Sequence, residues 1–248
     1  MVTFSDRISV QLPAGWHNLT SRQLQFVYAL IASGSDASSL RLRCLLEFGD
    51  ISVIARVNKG YTLLCKGRYI TIPVLELSEY ATILSWLSSV PDSPVRIPAY
   101  KRHRAVDARL KDVTFGDYLA CENYYQGFLT TRQTGLMEEM ARILYRAPNL
   151  KLAPVFFIGV LYWWIAVKKL FASRFPHLFQ SSARETEDNL LESGKSRLQD
   201  SVDAQIRALT KGDPTKENDV LQLNVWRALT ELDAQAREYF EYKKKYGK

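Results

Sequence analysis

Between Lys151 and Lys168 the chain runs through 16 residues without a charge, Leu152 to Val167, overlapping the stretch APVFFIGVLYWWIAVKKLF from Ala153 to Phe171. A segment this apolar leaves water in one of three ways: into a bilayer, into the middle of a packed domain, or against another chain. At about 1.5 Å per residue the uncharged run spans roughly 24 Å as a helix, short of the ~30 Å hydrocarbon core. Tyr162, Trp163 and Trp164 beside two lysines imitate an interfacial belt. The length nevertheless favours a central helix near residues 153–172, buried on all sides of an α-helical domain. A surface shared with a partner or a second copy is the remaining use.

With 248 residues, the chain has room for two small domains, each with its own core. Val90 to Pro98 reads VPDSPVRIP. Its three prolines cannot continue a helix, so the boundary is placed there. Residues 1–98 then form an α+β domain. Alternating apolar residues at Val2, Phe4, Ile8, Val10 and Leu12 predict one or two short strands ending at Pro13. Thr20 with Gln23 makes a capping-box pattern ahead of a helix, and a second helix is expected around Leu40 to Phe48. The runs ISVIARV, YTLLCK and RYITIPV, separated by turn-like Asn58-Lys59-Gly60 and Lys66-Gly67, predict two consecutive hairpins, followed by a short helix near Ser78 to Leu87.

Residues 99–248 read as an all-helical domain. Helices are expected from near Thr114, through TGLMEEMARILYRAP, over the apolar run, and across a polar stretch from Ser181 to Lys211. Asp213-Pro214 supplies an N-cap and a proline at the first helical position, which predicts a long C-terminal helix near 214–244. Leu221, Val225, Leu229, Leu232, Ala236 and Tyr239 fall on one face of that helix. They are the candidate protein-contact residues, and the same stripe packing within its own chain is the competing reading. The fold class as a whole is α+β, a small N-terminal unit with a β-meander followed by a mainly helical C-terminal domain.

Cys44, Cys65 and Cys121 stand far apart and odd in number, which suits a reducing compartment. The N-terminus carries charge and turn residues where a signal peptide has its apolar core. A cytoplasmic place, without membrane attachment, is the expectation. The net charge of +7 is concentrated mid-chain: residues 99–112 hold five cations against two carboxylates. Tyr100, Lys101, Arg102, Arg104, Arg109 and Lys111 are therefore candidate nucleic-acid contacts, able to neutralise phosphates. A solvated loop or helix face is the plainer account, because Asp107 and Asp112 dilute the patch.

Signatures of chemistry are weak. Ser193-Gly194-Lys195-Ser196 resembles the end of a phosphate-binding loop, but Asn189 stands where the first glycine belongs and no buried strand leads into it. His17, His103 and His177 are scattered without metal-ligand spacing. Glu138-Glu139 reads as the solvent face of a helix rather than an acid/base pair, and Asn123-Tyr124-Tyr125 as helical core packing. Arg207-Ala208-Leu209-Thr210 echoes Arg227-Ala228-Leu229-Thr230, but turns built from good helix formers coincide easily. No catalytic residue, metal site or cofactor is expected, and an enzyme whose site is assembled only by the fold is the outlying alternative.

Two stretches carry a resemblance. LPAGWHNLTSRQL, Leu12 to Leu24, looks like the start of small phage proteins made before the tail tube and tape measure, loosely of the tail-assembly-chaperone type. LTKGDPTKENDVLQLNVWRALTELDAQAREY, Leu209 to Tyr239, is similar to the C-terminal part of uncharacterised prophage proteins from gut anaerobes. The resemblance implies a non-enzymatic protein of tail or virion assembly, in the host cytoplasm or incorporated in a virion, with phage structural proteins or a second copy as partners. Nucleic acid is the alternative partner.

Overall fold

The computed structural model describes residues 2–4, 8–179 and 194–246. The fold is α+β, with a three-stranded antiparallel sheet in the N-terminal part and a helical C-terminal region. The chain divides into two compact units, Met1–Pro91 with Ala153–Tyr162, and Asp92–Leu152 with Trp163–Lys248. The division falls at the start of the proline-rich stretch. It also assigns the first turns of the apolar helix to the N-terminal unit, a placement that reading residues 99–248 as one block does not contain.

In the first unit, β1 (Val2–Phe4) and β2 (Ile8–Val10) form an antiparallel pair. Helix α1 (Ser21–Ala32) starts with the expected capping box: the Gln23 amide donates to Thr20 Oγ1, and the Thr20 amide to the Gln23 side chain. Helix α2 (Ala37–Phe48) begins ahead of Leu40 because Asp36 accepts from the amides of Ser38 and Ser39 and so caps it. The meander is β3 (Ile51–Val57), β4 (Gly60–Cys65) and β5 (Arg68–Pro73), in the order β3-β4-β5, with a register shift between Val53 and Ala55. Helix α3 (Val74–Ala81) starts directly on β5, earlier than Ser78, and runs into 3-10 turns from Thr82 to Ser88. Leu24, Val27, Tyr28, Cys44, Leu45, Leu63, Ile72 and Leu84 are buried in this unit. Tyr162 belongs with them through its ring, 5.9 Å from that of Trp16 and 5.7 Å from that of Tyr28.

In the second unit, β6 (Ala99–Tyr100) and β7 (His103–Arg104) form a tight hairpin. Helix α4 (Phe115–Thr131) is capped by Thr114, whose hydroxyl accepts from the Asp117 amide. Arg132 then takes a left-handed backbone conformation, and α5 (Thr134–Leu144) begins. The apolar run forms α6 (Pro154–Arg174), 21 residues long and, by length and composition, sufficient to cross a membrane. Burial along it is uneven. Residues 153–158 are exposed or half-buried, whereas Val160, Trp163, Trp164, Ala166, Val167 and Phe171 are shut off from solvent. Even the later turns keep an open side, with Lys169 exposed and Leu161, Ile165 and Leu170 half-buried, so the expected burial on all sides is replaced by burial of one face.

Helix α7 (Gly194–Thr210) follows, and the expected long helix over 214–244 is in fact broken. After a 3-10 turn at Pro214–Lys216 come α8 (Glu217–Gln222) and α9 (Val225–Tyr246), with Leu223 extended between them. The interruption has a long-range cause. The Phe115 amide donates to the Leu223 carbonyl, the Val225 amide to the Val113 carbonyl, and Thr114 and Asn224 form an isolated bridge. Main chain that pairs sideways in this manner cannot also complete the helical ladder.

Candidate functional site

The expected contact stripe turns out to be largely core. Val225, Leu229 and Leu232 are buried within their own unit, joined by Ala228. Ala236 is half-buried. Leu221 sits on α8, not on the helix that carries the others, and is half-buried. Its approach to α4 requires Gly116, where an added Cβ would lie 3.2 Å from the Leu221 carbonyl oxygen. Most of the stripe therefore has no free surface, and only Tyr239 remains open.

Beyond Leu232 the last turns of α9 carry no buried side chain among the described residues. Tyr239, Tyr242 and Tyr246 are 61%, 65% and 62% exposed, on positions that share one helical face. Tyr239 touches the Phe240 ring, Tyr242 packs against Tyr246 at 5.0 Å, and Lys245 lies over the Tyr246 ring. Lys243, Lys244 and Lys245 occupy the last turn, where cations complement the helix dipole. Sequence reasoning placed only Tyr239 of this group, because it followed the aliphatic periodicity and stopped where that ended.

The basic segment is a short hairpin followed by a solvated loop, not a helix face. Tyr100 and His103 pair across the β6–β7 turn, with Lys101 left-handed at its tip and its ammonium 5.5 Å from the Tyr100 ring centroid. The Tyr100 hydroxyl donates to the Lys151 carbonyl. In the following loop the carboxylates are turned to the main chain: Asp107 accepts from the amides of Arg109 and Lys111, and Asp112 from the Asp107 amide while also pairing with Arg146 at 2.8 Å. Three carbonyls are held from the opposite side, Ala108 by Trp163 Nε1, Arg109 by Trp226 Nε1 and Lys111 by Asn224 Nδ2. With the loop's backbone pinned in this way, Lys101, Arg102, Arg104, Arg109 and Lys111 are all exposed, and none has a carboxylate within ion-pair distance among the described residues. Asp107 and Asp112 thereby order the loop's main chain, while their charges remain beside the cations. The structure adds Arg146 and Lys151 to the neighbourhood, a link that depends on chain folding and leaves no local signature.

The densest polar arrangement in the second unit centres on Glu122, on α4. Its carboxylate accepts from Trp164 Nε1 at 3.1 Å and from Gln126 Nε2 at 2.7 Å, and pairs with the Lys168 ammonium. Lys168 also stands over the Tyr125 ring. Tyr118 is buried beside this group, and burial followed by the nearby Glu122 charge pushes its phenol above the ordinary range. These contacts join α4 to the later turns of α6. Asn123-Tyr124-Tyr125 lies on the same helix, with Tyr125 buried as helical packing predicts.

The other sequence candidates carry no constellation. Glu138 accepts from the Leu152 amide and Glu139 pairs with Arg142, so both carboxylates have structural partners. Gly194, Lys195 and Ser196 fall in the first turn of α7, while Asn189 and Ser193 lie outside the described residues. Among the described residues no group of three or more His, Cys, Asp and Glu is placed to hold a metal ion. An open cleft of about 520 Å³ in the first unit is lined by Thr20, Arg22, Gln23, Arg43, Glu47 and Asp50 among others. Arg22 pairs there with Glu47 at 3.4 Å. Set against protein-family models, curated proteins and solved structures, the chain matches none of them.

Proposed function

We propose that the protein is a non-enzymatic component of phage or prophage tail or virion assembly, acting in the host cytoplasm through protein-protein contacts. The phage setting rests on the resemblance of Leu12–Leu24 and Leu209–Tyr239. The observation that supports contact as the mode of action is the end of α9, where three tyrosines on one face stand in solvent beside three lysines. Tyrosine supplies large contact area at low entropic cost, and a helical face of this kind docks in a groove of a partner. The docking element is accordingly the distal part of α9, not the buried Val225, Leu229 and Leu232.

Affinity capture from cells carrying an induced prophage tests this reading. Identified tail or virion proteins are expected with the wild type and absent with Tyr239→Asp/Tyr242→Asp, while the thermal transition moves little because both side chains are exposed. Capture of the same phage proteins by the variant and the wild type would refute it.

A second reading is favoured by the pinned basic loop, which presents five exposed cations without carboxylate partners among the described residues. Nucleic acid held there should dissociate steeply as salt rises, and Lys101→Gln/Arg102→Gln/Arg104→Gln should flatten the salt dependence by about one unit for each phosphate no longer neutralised. No retention of DNA or RNA at low salt would remove this reading.

A further inference from the structure

Among the described residues strand β3 has a neighbour on one side only, because the sheet order is β3-β4-β5. An edge strand carries main-chain N–H and C=O groups that point away from its neighbour, and an exposed apolar edge is a template for another strand. On β3 every residue from Ser52 to Val57 is exposed, with Val53 at 47%, Ile54 at 51% and Val57 at 38%. These three apolar side chains stand in water along one strand with an open edge, the setting in which an added strand would cover them.

Charge indicates what fits. From Ile51 to Leu75 the chain contains Arg56, Lys59, Lys66 and Arg68 and no Asp or Glu. Lys66 donates to the Ser9 carbonyl. Arg56, Lys59 and Arg68 are exposed and have no carboxylate within ion-pair distance among the described residues. Of these, only Arg56 lies on β3 itself, with Lys59 in the turn that follows it, so a second copy's β3 would bring a further cation and no carboxylate to this edge. The register shift between Val53 and Ala55 also interrupts a long regular ladder. A short extended segment tolerates that interruption, and acidic side chains on it turn Arg56 and Lys59 from a barrier into an attraction.

We infer that β3 is a docking edge for an extended, acidic and apolar segment of a partner protein, added to the sheet as a fourth strand. Main-chain pairing supplies the adhesion, and Val53, Ile54 and Val57 with the cations select the sequence. β3 belongs to the first unit and the end of α9 to the second, and the residues tested are different, so either proposal can fail without the other.

The test uses the full-length protein and a labelled peptide of alternating glutamate and valine or isoleucine. A lysine-for-glutamate peptide and a thymidine oligonucleotide serve as controls. The acidic peptide is expected to bind in fluorescence anisotropy, the lysine peptide not to bind, and amides within residues 51–57 to gain hydrogen-exchange protection only with the acidic peptide. Arg56→Glu should weaken binding by at least about tenfold, and Ile54→Lys should weaken it as well, both with unchanged circular dichroism because both sites are exposed. Four results would overturn the inference: no binding of the acidic peptide, binding without protection of residues 51–57, displacement of the peptide by the oligonucleotide, or a dimer of the protein that Ile54→Lys dissolves.

Discussion

Removing the Lys168 ammonium from Glu122 is the perturbation whose outcome the packing defines best. The Glu122 side chain is 13% exposed and that of Lys168 33%. After Lys168→Met the carboxylate keeps its hydrogen bonds from Trp164 and Gln126 but loses its cationic partner. Breaking a fully buried pair from one side costs about 3–5 kcal/mol. Water reaches the Lys168 end, so a loss of about 2–3 kcal/mol is expected. Glu122→Gln should cost about 2 kcal/mol, since it leaves the ammonium facing a neutral amide in the same packing. The double substitution removes both charges and should cost little more than either single one, leaving a coupling energy of about 2 kcal/mol. Urea unfolding followed by tryptophan fluorescence measures all four corners of the cycle. Additive losses, or a Lys168→Met protein within about 0.5 kcal/mol of the wild type, would refute the claim that this pair ties α4 to α6.

Four further outcomes follow from particular residues. Burial pushes the Cys44 thiol from 9.0 to about 12, so alkylating reagents at pH 8 should modify it only after denaturation, as mass spectrometry would show. Because the folded value is the higher one, the stability it contributes is complete below pH 9 and lost as the pH rises from there towards 12, which urea midpoints across that range should reveal. Gly60→Ala should cost about 2–3 kcal/mol or prevent folding, because an added Cβ would sit 2.2 Å from the Ile72 carbonyl oxygen on the adjacent strand. Finally, the expressed protein should remain soluble without detergent, with Trp163 and Trp164 shielded from aqueous quenchers. Pelleting with membranes would make α6 a span and would remove the cytoplasmic reading.

Short-range features were legible in the sequence because their causes lie within a few residues. Thr20 and Gln23 cap α1, Thr114 starts α4, and the turns at Asn58-Lys59-Gly60 and Lys66-Gly67 delimit the meander. Asp36 carried an equally local signal that placed α2 earlier than its apolar periodicity suggested. The Glu122 cluster had no such signal, since Trp164 and Lys168 reach it from more than forty residues away.

Of the candidate surfaces, residue types alone determined that a basic segment follows the proline-rich stretch and that an apolar stripe runs along the C-terminal helical region. Tertiary structure decided which of those residues meet solvent. Val225, Leu229 and Leu232 were indistinguishable by periodicity from a docking face, and packing in their own unit removed them. The break at Leu223 and Asn224 came from main-chain pairing with Val113, Thr114 and Phe115, which no helical propensity encodes. Asp107 and Asp112 read in composition only as charges that dilute a basic patch, and the fold shows them also holding the loop's amides. Sequence determines which groups seek burial or a partner, and which one each finds depends on contacts that chain closure brings together.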